Sequence, residues 1–245
     1  MFDKSFKDWH SFTKSYREEL SASGKPYDKD NFLFRGQMDS RWSITSSFDR
    51  IEKDKSKSQE LIDAFKISLQ RNQHPLFDNP NLNDDMIAAF GQHHGLPTRL
   101  IDWSVSPYIA AFFAFSDALI NDHKGKCISI WAINKQSEAI KKEAGSLRFI
   151  EIPNNKINQR LKSQMGQFTY SNHPQDNLED YLNEICLKHG IDDALWKFNL
   201  PNKDVQSVLN ELDLMNINYE SIYPDIEGFI KNTITTVLKP KFDSI

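Results

Sequence analysis

Cysteine is almost missing from this chain, two in 245 residues, which excludes a disulfide-stapled scaffold. Cys127 and Cys186 both sit in apolar segments, where they are expected as small core residues. Glycine is scarce too, at nine, and neither G-x-G-x-x-G nor G-x-x-x-x-G-K-[ST] occurs. Rossmann-type dinucleotide sites and P-loops are thereby excluded. HExxH and spaced Cys/His pairs are absent, so no metal is expected. No apolar run approaches the ~20 residues that span a bilayer. The opening "MFDKSFKDWHSFTK" carries no signal-peptide apolar segment, and a cytoplasmic location without membrane contact is expected. Positive charge is not in excess either: 30 Lys and Arg against 34 Asp and Glu give a formal net charge of −4. No whole-molecule field draws nucleic acid, although a local channel of Lys156, Arg160 and Lys162 is compatible with that sum.

What is present is enough apolar mass for a sizeable core. Hydrophobic residues make up 39% and aromatics 12%, with 17 Phe and 5 Trp. The organisation expected is a helical lead-in over 1–30, one main domain over 31–230 and a tail over 231–245. After the polar stretch Arg50–Glu60, Leu61, Ile62, Phe65 and Leu69 share a helical face, with Ser58 as the expected cap. Asn83 should cap a second helix that buries Met86, Ile87 and Phe90 and stops at Gly95. Ser106-Pro107 opens "SPYIAAFFAFSDALI", a helix whose Ile109, Phe112 and Phe113 are expected to lie on a sheet. Strands are expected at Asn31–Phe34, Thr98–Trp103, Lys126–Ile133, Leu147–Ile152, Gln167–Tyr170 and "ALWKFNL". Helices are expected at Lys156–Gln164, before Gly190, and around Val205, Leu209 and Leu212. Strands mixed irregularly with helices make the fold α+β.

Polar clusters mark the ends of several apolar elements, where clefts are usually lined. Arg35 closes the run "NFLF". Its guanidinium is permanently charged and offers a fork that suits a carboxylate or a phosphate. The competing reading is an internal ion pair with Asp39 or Asp102. His93 and His94 point about 100° apart on a helix and do not chelate one metal readily. Ser104, Asp102 and a histidine compose a possible hydrolase trio, but the G-x-S-x-G elbow is replaced by "DWSVS".

Taken in order, "FLFRGQMDSRW", "GQHHGLPTRLIDWSVSPYIAAFFAF" and "RLKSQMGQFTY" resemble the signatures of the FRG domain family. The family's Phe-Arg-Gly is Phe34-Arg35-Gly36. Its Q-H-x-G-L-P-T-R-L-L-D-W stretch is similar to Gln92–Trp103, and its Q-x-G-x-F to Gln164, Gly166 and Phe168. The run Asn216–Phe229 is similar to the family's ending, with Asn216 where a glycine is usual. The likeness extends from about Asn31 to about Phe229.

The motif order also resembles the split-sheet ADP-ribosyltransferase fold of the arginine–serine–glutamate class, flanked by helices. That resemblance implies a mixed α+β architecture and NAD as a substrate. Arg35 would match the arginine, and Ser104-Val105-Ser106, followed by Ala110 and Phe113, the serine strand and its helix. The glutamate falls near Gln164 or Gln167, neither acidic, which hands its role to another residue such as Asp102 or Glu151. The catalytic set implied is Arg35, Ser104, Asp102 and Gln164. The NAD-binding set is Arg35, Gly36, Gln37, His94, Thr98, Arg99, Trp103 and Phe168, with Trp103 or Phe168 as aromatic walls for nicotinamide. The partners implied are a macromolecular acceptor, protein or nucleic acid, and an antitoxin, because FRG domains resemble parts of bacterial toxin and phage-defence modules. Two other readings stand beside this one: a non-catalytic nucleotide- or partner-sensing module, and a Ser104 hydrolase.

Overall fold

The computed structural model describes residues 1–21, 26–123, 127–143, 145–152, 159–175 and 177–238. Among them, seven strands form one sheet in the order β1-β7-β4-β2-β3-β6-β5. The strands are β1 (Phe2–Ser5), β2 (Phe32–Gln37), β3 (Leu100–Ser104), β4 (Cys127–Asn134), β5 (Leu147–Ile150), β6 (Gly166–Ser171) and β7 (Leu195–Pro201). β1 runs parallel to β7, and the other pairings described are antiparallel. The period-two alternation of a strand divides its side chains between two cores. Phe32 and Phe34 face one core with Ile130, Trp196 and Phe198, while Leu33 faces the other with Trp131, Ile133 and Leu195.

Helices cover both faces, so the fold is α+β, as the mixed pattern implied. α1 (Trp9–Leu20), α4 (Pro107–Ile120), α8 (Val205–Leu214) and α9 (Tyr219–Ile222) pack on the Phe34 side. α5 (Glu138–Lys142) and α7 (Leu178–His189) pack on the Trp131 side. α2 (Lys57–Arg71) and α3 (Asp84–His93) enclose a third core with Leu100, Ile150 and Phe168. α6 (Gln159–Ser163) and α10 (Ile226–Leu238) complete the described elements. No helix among the described residues is long and apolar enough to cross a membrane.

α4 is the helix against which the middle of the sheet is built. Ser106 accepts a hydrogen bond from the Ile109 N–H, and Pro107 occupies the first turn, where its missing N–H is no loss. The helix comes so close to β2 that a Cβ on Gly36 would lie 1.8 Å from the Ala110 carbonyl oxygen. Only a residue without a side chain fits there. At the other end of the chain Gly190 closes α7 with φ of 64°, the left-handed cap that helix ends favour.

Several expectations need correction. The lead-in is not purely helical, because β1 precedes α1. Its "FDKS" carries a single apolar residue, and the strand is held by pairing with β7 and by Phe2 stacking on Trp196 at 5.3 Å. α2 begins at Lys57, with Ser56 at the cap position, so Ser58 lies buried inside the first turn. Cys127, at the start of β4, is exposed, while Cys186 is buried as expected. The boundary expected at 230 falls within α10. Lys156 lies outside the described residues.

Candidate functional site: a cleft where the sheet parts

β2 and β4 pair without a break from Phe32↔Asn134 to Gln37↔Ser129. β2 and β3, by contrast, meet at the single pair Phe34↔Ser104. Past that pair the ladder is replaced by a side chain: Arg35 Nη1 donates to the Asp102 carbonyl oxygen at 2.8 Å. The carbonyl is satisfied without a neighbouring backbone N–H, so the strands are free to part. A cavity of about 300 Å³ opens in the gap, lined from the sheet by Phe34, Arg35, Gly36, Asp102, Trp103 and Ser104. Gln92 and His93 of α3, Phe113 and Asp117 of α4, Arg160 and Gln164, and Tyr223 complete its walls.

The Arg35 side chain is 24% exposed, and its Nε is buried with no hydrogen-bond partner among the described residues. Nη1 lies 4.0 Å from Asp102 Oδ2, a loose ion pair that leaves most of the fork uncommitted. Asp39, the other acid weighed as a partner, is engaged instead by Arg41, through Nε at 3.0 Å and Nη2 at 2.6 Å. Asp102 Oδ2 accepts from Gln92 Nε2 at 2.7 Å, while Gln92 Oε1 accepts from the Thr98 hydroxyl. The two contacts fix which way the Gln92 amide faces.

Burial pulls the Arg35 pKa down, and the Asp102 carboxylate opposes that pull. An arginine nevertheless keeps its proton. Burial pushes the Asp102 carboxyl up, against Arg35 and the Gln92 hydrogen bond. Its side chain is 61% exposed and borders this cleft and a smaller neighbouring cavity. Asp117 is also raised by burial, opposed by Lys231 and Arg35. His93 is lowered by burial and by neighbouring Arg160, so its ring is neutral at neutral pH.

Ser104 is structural in its bonding. Its Oγ donates to the Gln164 carbonyl oxygen at 2.8 Å and accepts from the Ser106 N–H at 3.1 Å. The hydroxyl proton is therefore committed to the backbone and not to a histidine, and a serine-hydrolase nucleophile has no support here. Arg160 is equally engaged. Its guanidinium donates to Asp225 and Glu227 and lies 5.0 Å from the Tyr223 ring. It ties α6 to the start of α10 and is not a free member of a nucleic-acid channel.

The cleft thus gathers Arg35, Gly36, Asp102, Trp103, Ser104 and Gln164 from the expected set. The rest lie elsewhere. Gln37 points to the opposite face, where it accepts from Trp131 Nε1 at 2.6 Å. His94 is exposed beyond α3, with its ring against Phe90. Thr98 and Arg99 line a different cavity. Trp103 turns its indole into the core, donating to Thr169 Oγ1 at 2.9 Å, and Phe168 is buried under α2 and α3. Trp103 thus meets the cleft without turning its ring into it, and the cleft is also lined by the aromatic residues Phe113 and Tyr223, with ring centroids 6.1 Å apart. Gln167 donates to exposed Glu151 at 2.6 Å, outside the cleft. Sequence reasoning missed Asp117, though a lone carboxylate inside "YIAAFFAFSDALI" was a usable signal.

The family model for the FRG domain matches residues 30–123. That segment is similar to the FRG domain. The matched segment supplies β2, α2, α3, β3 and α4, and with them Arg35, Gln92, His93, Asp102, Ser104 and Asp117. Arg160, Gln164 and Tyr223, which close the cleft, follow it in the chain. No curated protein and no solved structure gives a significant match.

Proposed function

We propose that the cleft binds NAD as a substrate and that the protein transfers ADP-ribose to a macromolecular acceptor. The observation that carries this reading is Arg35, a charged fork whose Nε has no hydrogen-bond partner among the described residues, opening into the same cavity as the Asp102 carboxylate. A cavity of this size sits at the small end of the ~300–1,000 Å³ typical of ligand pockets. It suits the reacting end of a dinucleotide better than the whole molecule.

In the reaction, the bond between nicotinamide and the ribose C1′ breaks and nicotinamide leaves with its electron pair. A bond forms from C1′ to an oxygen or nitrogen of the acceptor, which gives up a proton. Arg35 holds the pyrophosphate in place. Asp102 takes the electrostatic role of the missing glutamate, stabilising positive charge that develops on the ribose. Phe113 and Tyr223 flank the nicotinamide and keep water from it. His93, neutral at neutral pH, accepts the acceptor's proton. The resemblance to toxin and phage-defence modules extends the reading to an effector restrained by an antitoxin.

The test is nicotinamide release, measured with wild type and Arg35→Ala, alongside labelled NAD incubated with cell lysate. Release and a labelled protein or nucleic acid, both lost in the variant, are expected. A second reading is favoured by Gln164 and Gln167, where an acid was due: a sensor that binds the nucleotide without turnover. Bound NAD with no released nicotinamide would decide for the sensor, and no NAD binding at all would remove both.

A further inference from the structure

We propose that Arg50 and Arg35 together hold the pyrophosphate of NAD in a smaller cavity beside the cleft, so that the dinucleotide lies across Arg35 with its nicotinamide on the Asp117 side. The inference rests on the NAD reading and adds to it a residue and a direction.

The smaller cavity measures about 140 Å³ and shares Arg35, Gln92 and Asp102 with the cleft as a common partition. Beyond the partition lie Thr45, Ser46, Ser47 and Arg50, from the loop between β2 and α2. Ser46 donates to Asp49 at 2.7 Å and Ser47 to the Thr98 carbonyl oxygen at 3.1 Å, so both hydroxyls are committed. Arg50 is exposed and commits only Nη1, to the Thr45 carbonyl oxygen at 2.7 Å. It forms no ion pair among the described residues, and its neighbour Asp49 is engaged by Ser46 and Arg99 instead.

The charges lining the smaller cavity are thus Arg35 and Asp102, which face each other at 4.0 Å, and Arg50, which has no carboxylate of its own. Burial lowers the Arg35 pKa and Arg50 adds to that; burial raises that of Asp102, and Arg50 joins Arg35 and Gln92 in opposing it. Arg50 is therefore within electrostatic reach of the partition. Two guanidinium groups that repel one another gain most from an anion set between them.

The far end of the cleft has the opposite sign. Arg160 and Lys231 are paired there with Asp225 and Glu227, and His93 is neutral. Asp117 remains, exposed beside Phe113 and Tyr223, its carboxylate without a hydrogen bond among the described residues. NAD carries its charges in the same order: a doubly negative pyrophosphate, a ribose, then a positively charged nicotinamide ring. Laid from Arg50 across Arg35 and Asp102 to Asp117, each group meets its complement. The reverse direction would set like charge against like at both ends.

The experiment measures binding to the full chain by isothermal titration calorimetry, with wild type, Arg50→Gln and Asp117→Asn. The probes are carba-NAD, whose nicotinamide cannot leave, NADH, whose ring is neutral, and ADP-ribose, which lacks the ring. Wild type should bind carba-NAD more tightly than NADH. Arg50→Gln should weaken all three about tenfold, since all share the pyrophosphate. Asp117→Asn should weaken carba-NAD about fivefold and leave NADH and ADP-ribose no weaker. Both variants alter exposed side chains and should melt with wild type, which separates lost binding from lost fold. A wild type that binds none of the probes would remove the NAD reading and this inference with it. Wild-type binding that Arg50→Gln leaves unchanged, or a preference for carba-NAD over NADH that survives Asp117→Asn, would overturn the inference alone.

Discussion

From β1 through β7 and β4 to β2, long ladders run beneath interlocked aromatics, with Phe12, Phe34, Trp196 and Phe198 fully buried. From β3 through β6 to β5 the strands are shorter, and three cavities are lined by residues of β3. Both halves belong to one sheet and touch at Phe34↔Ser104. The contrast shows how cohesion and chemistry are divided. The closely packed half fixes the end of β2 in space, and the looser half leaves polar groups next to empty volume.

The contrast is most easily broken at Gly36. A Val there would drive carbon into the Ala110 carbonyl, and Gly36→Val should cost about 3 kcal/mol or more, read from the urea midpoint. A midpoint close to wild type would mean that α4 is free to move away from β2.

The looser half should be the acid-labile one. His173 binds a proton near 6.5 when unfolded and near 4 when folded, because burial beside Lys55 and Arg99 disfavours the cation. The unfolded chain therefore holds more protons between those values. Stability from this residue is complete above 6.5 and falls by about 3 kcal/mol as pH drops to about 4. Denaturant melts at pH 7 and pH 4.5 should show a smaller loss in His173→Gln; an equal loss would place the acid sensitivity elsewhere.

Arg35 sharpens the comparison because it belongs to the packed half and serves the other. Arg35→Gln should cut nicotinamide release about 100-fold or more while moving Tm by only a few degrees. A collapse of Tm with it would return Arg35 to the role of a structural ion pair. The smallest effect is expected at Arg160→Gln, which removes the ties to Asp225 and Glu227. A loss of about 1–2 kcal/mol should appear in thermal melts, and hydrogen exchange should quicken at the start of α10.

Much of the scaffold was legible because local chemistry agreed with it. Asn83 caps α3, Ser106-Pro107 opens α4, and Gly190 ends α7 in the left-handed conformation. β1 was hidden, since parallel pairing with β7 and the Phe2–Trp196 stack leave no mark on "FDKS". In the site, the motif residues at the parting of β2 and β3 do converge. The aromatic walls were misplaced because strand alternation turns Trp103 inward, and a motif does not reveal which face a residue takes. Arg160 was noticed for its charge but given a different role, and Tyr223 was missed because its segment is distant in the chain and is brought over the cleft by the ion pairs of Arg160 with Asp225 and Glu227.

The close approach of α4 to Gly36 also decides how the cavity behaves mechanically. Arg35, Phe113 and Asp117 are carried by two backbones jammed together, an anvil that does not yield. The opposite side, with Tyr223, is a hatch latched by Arg160 to two partly exposed carboxylates. Raising ionic strength loosens such a latch without touching the anvil, so the speed at which an occupant enters and leaves should follow salt concentration.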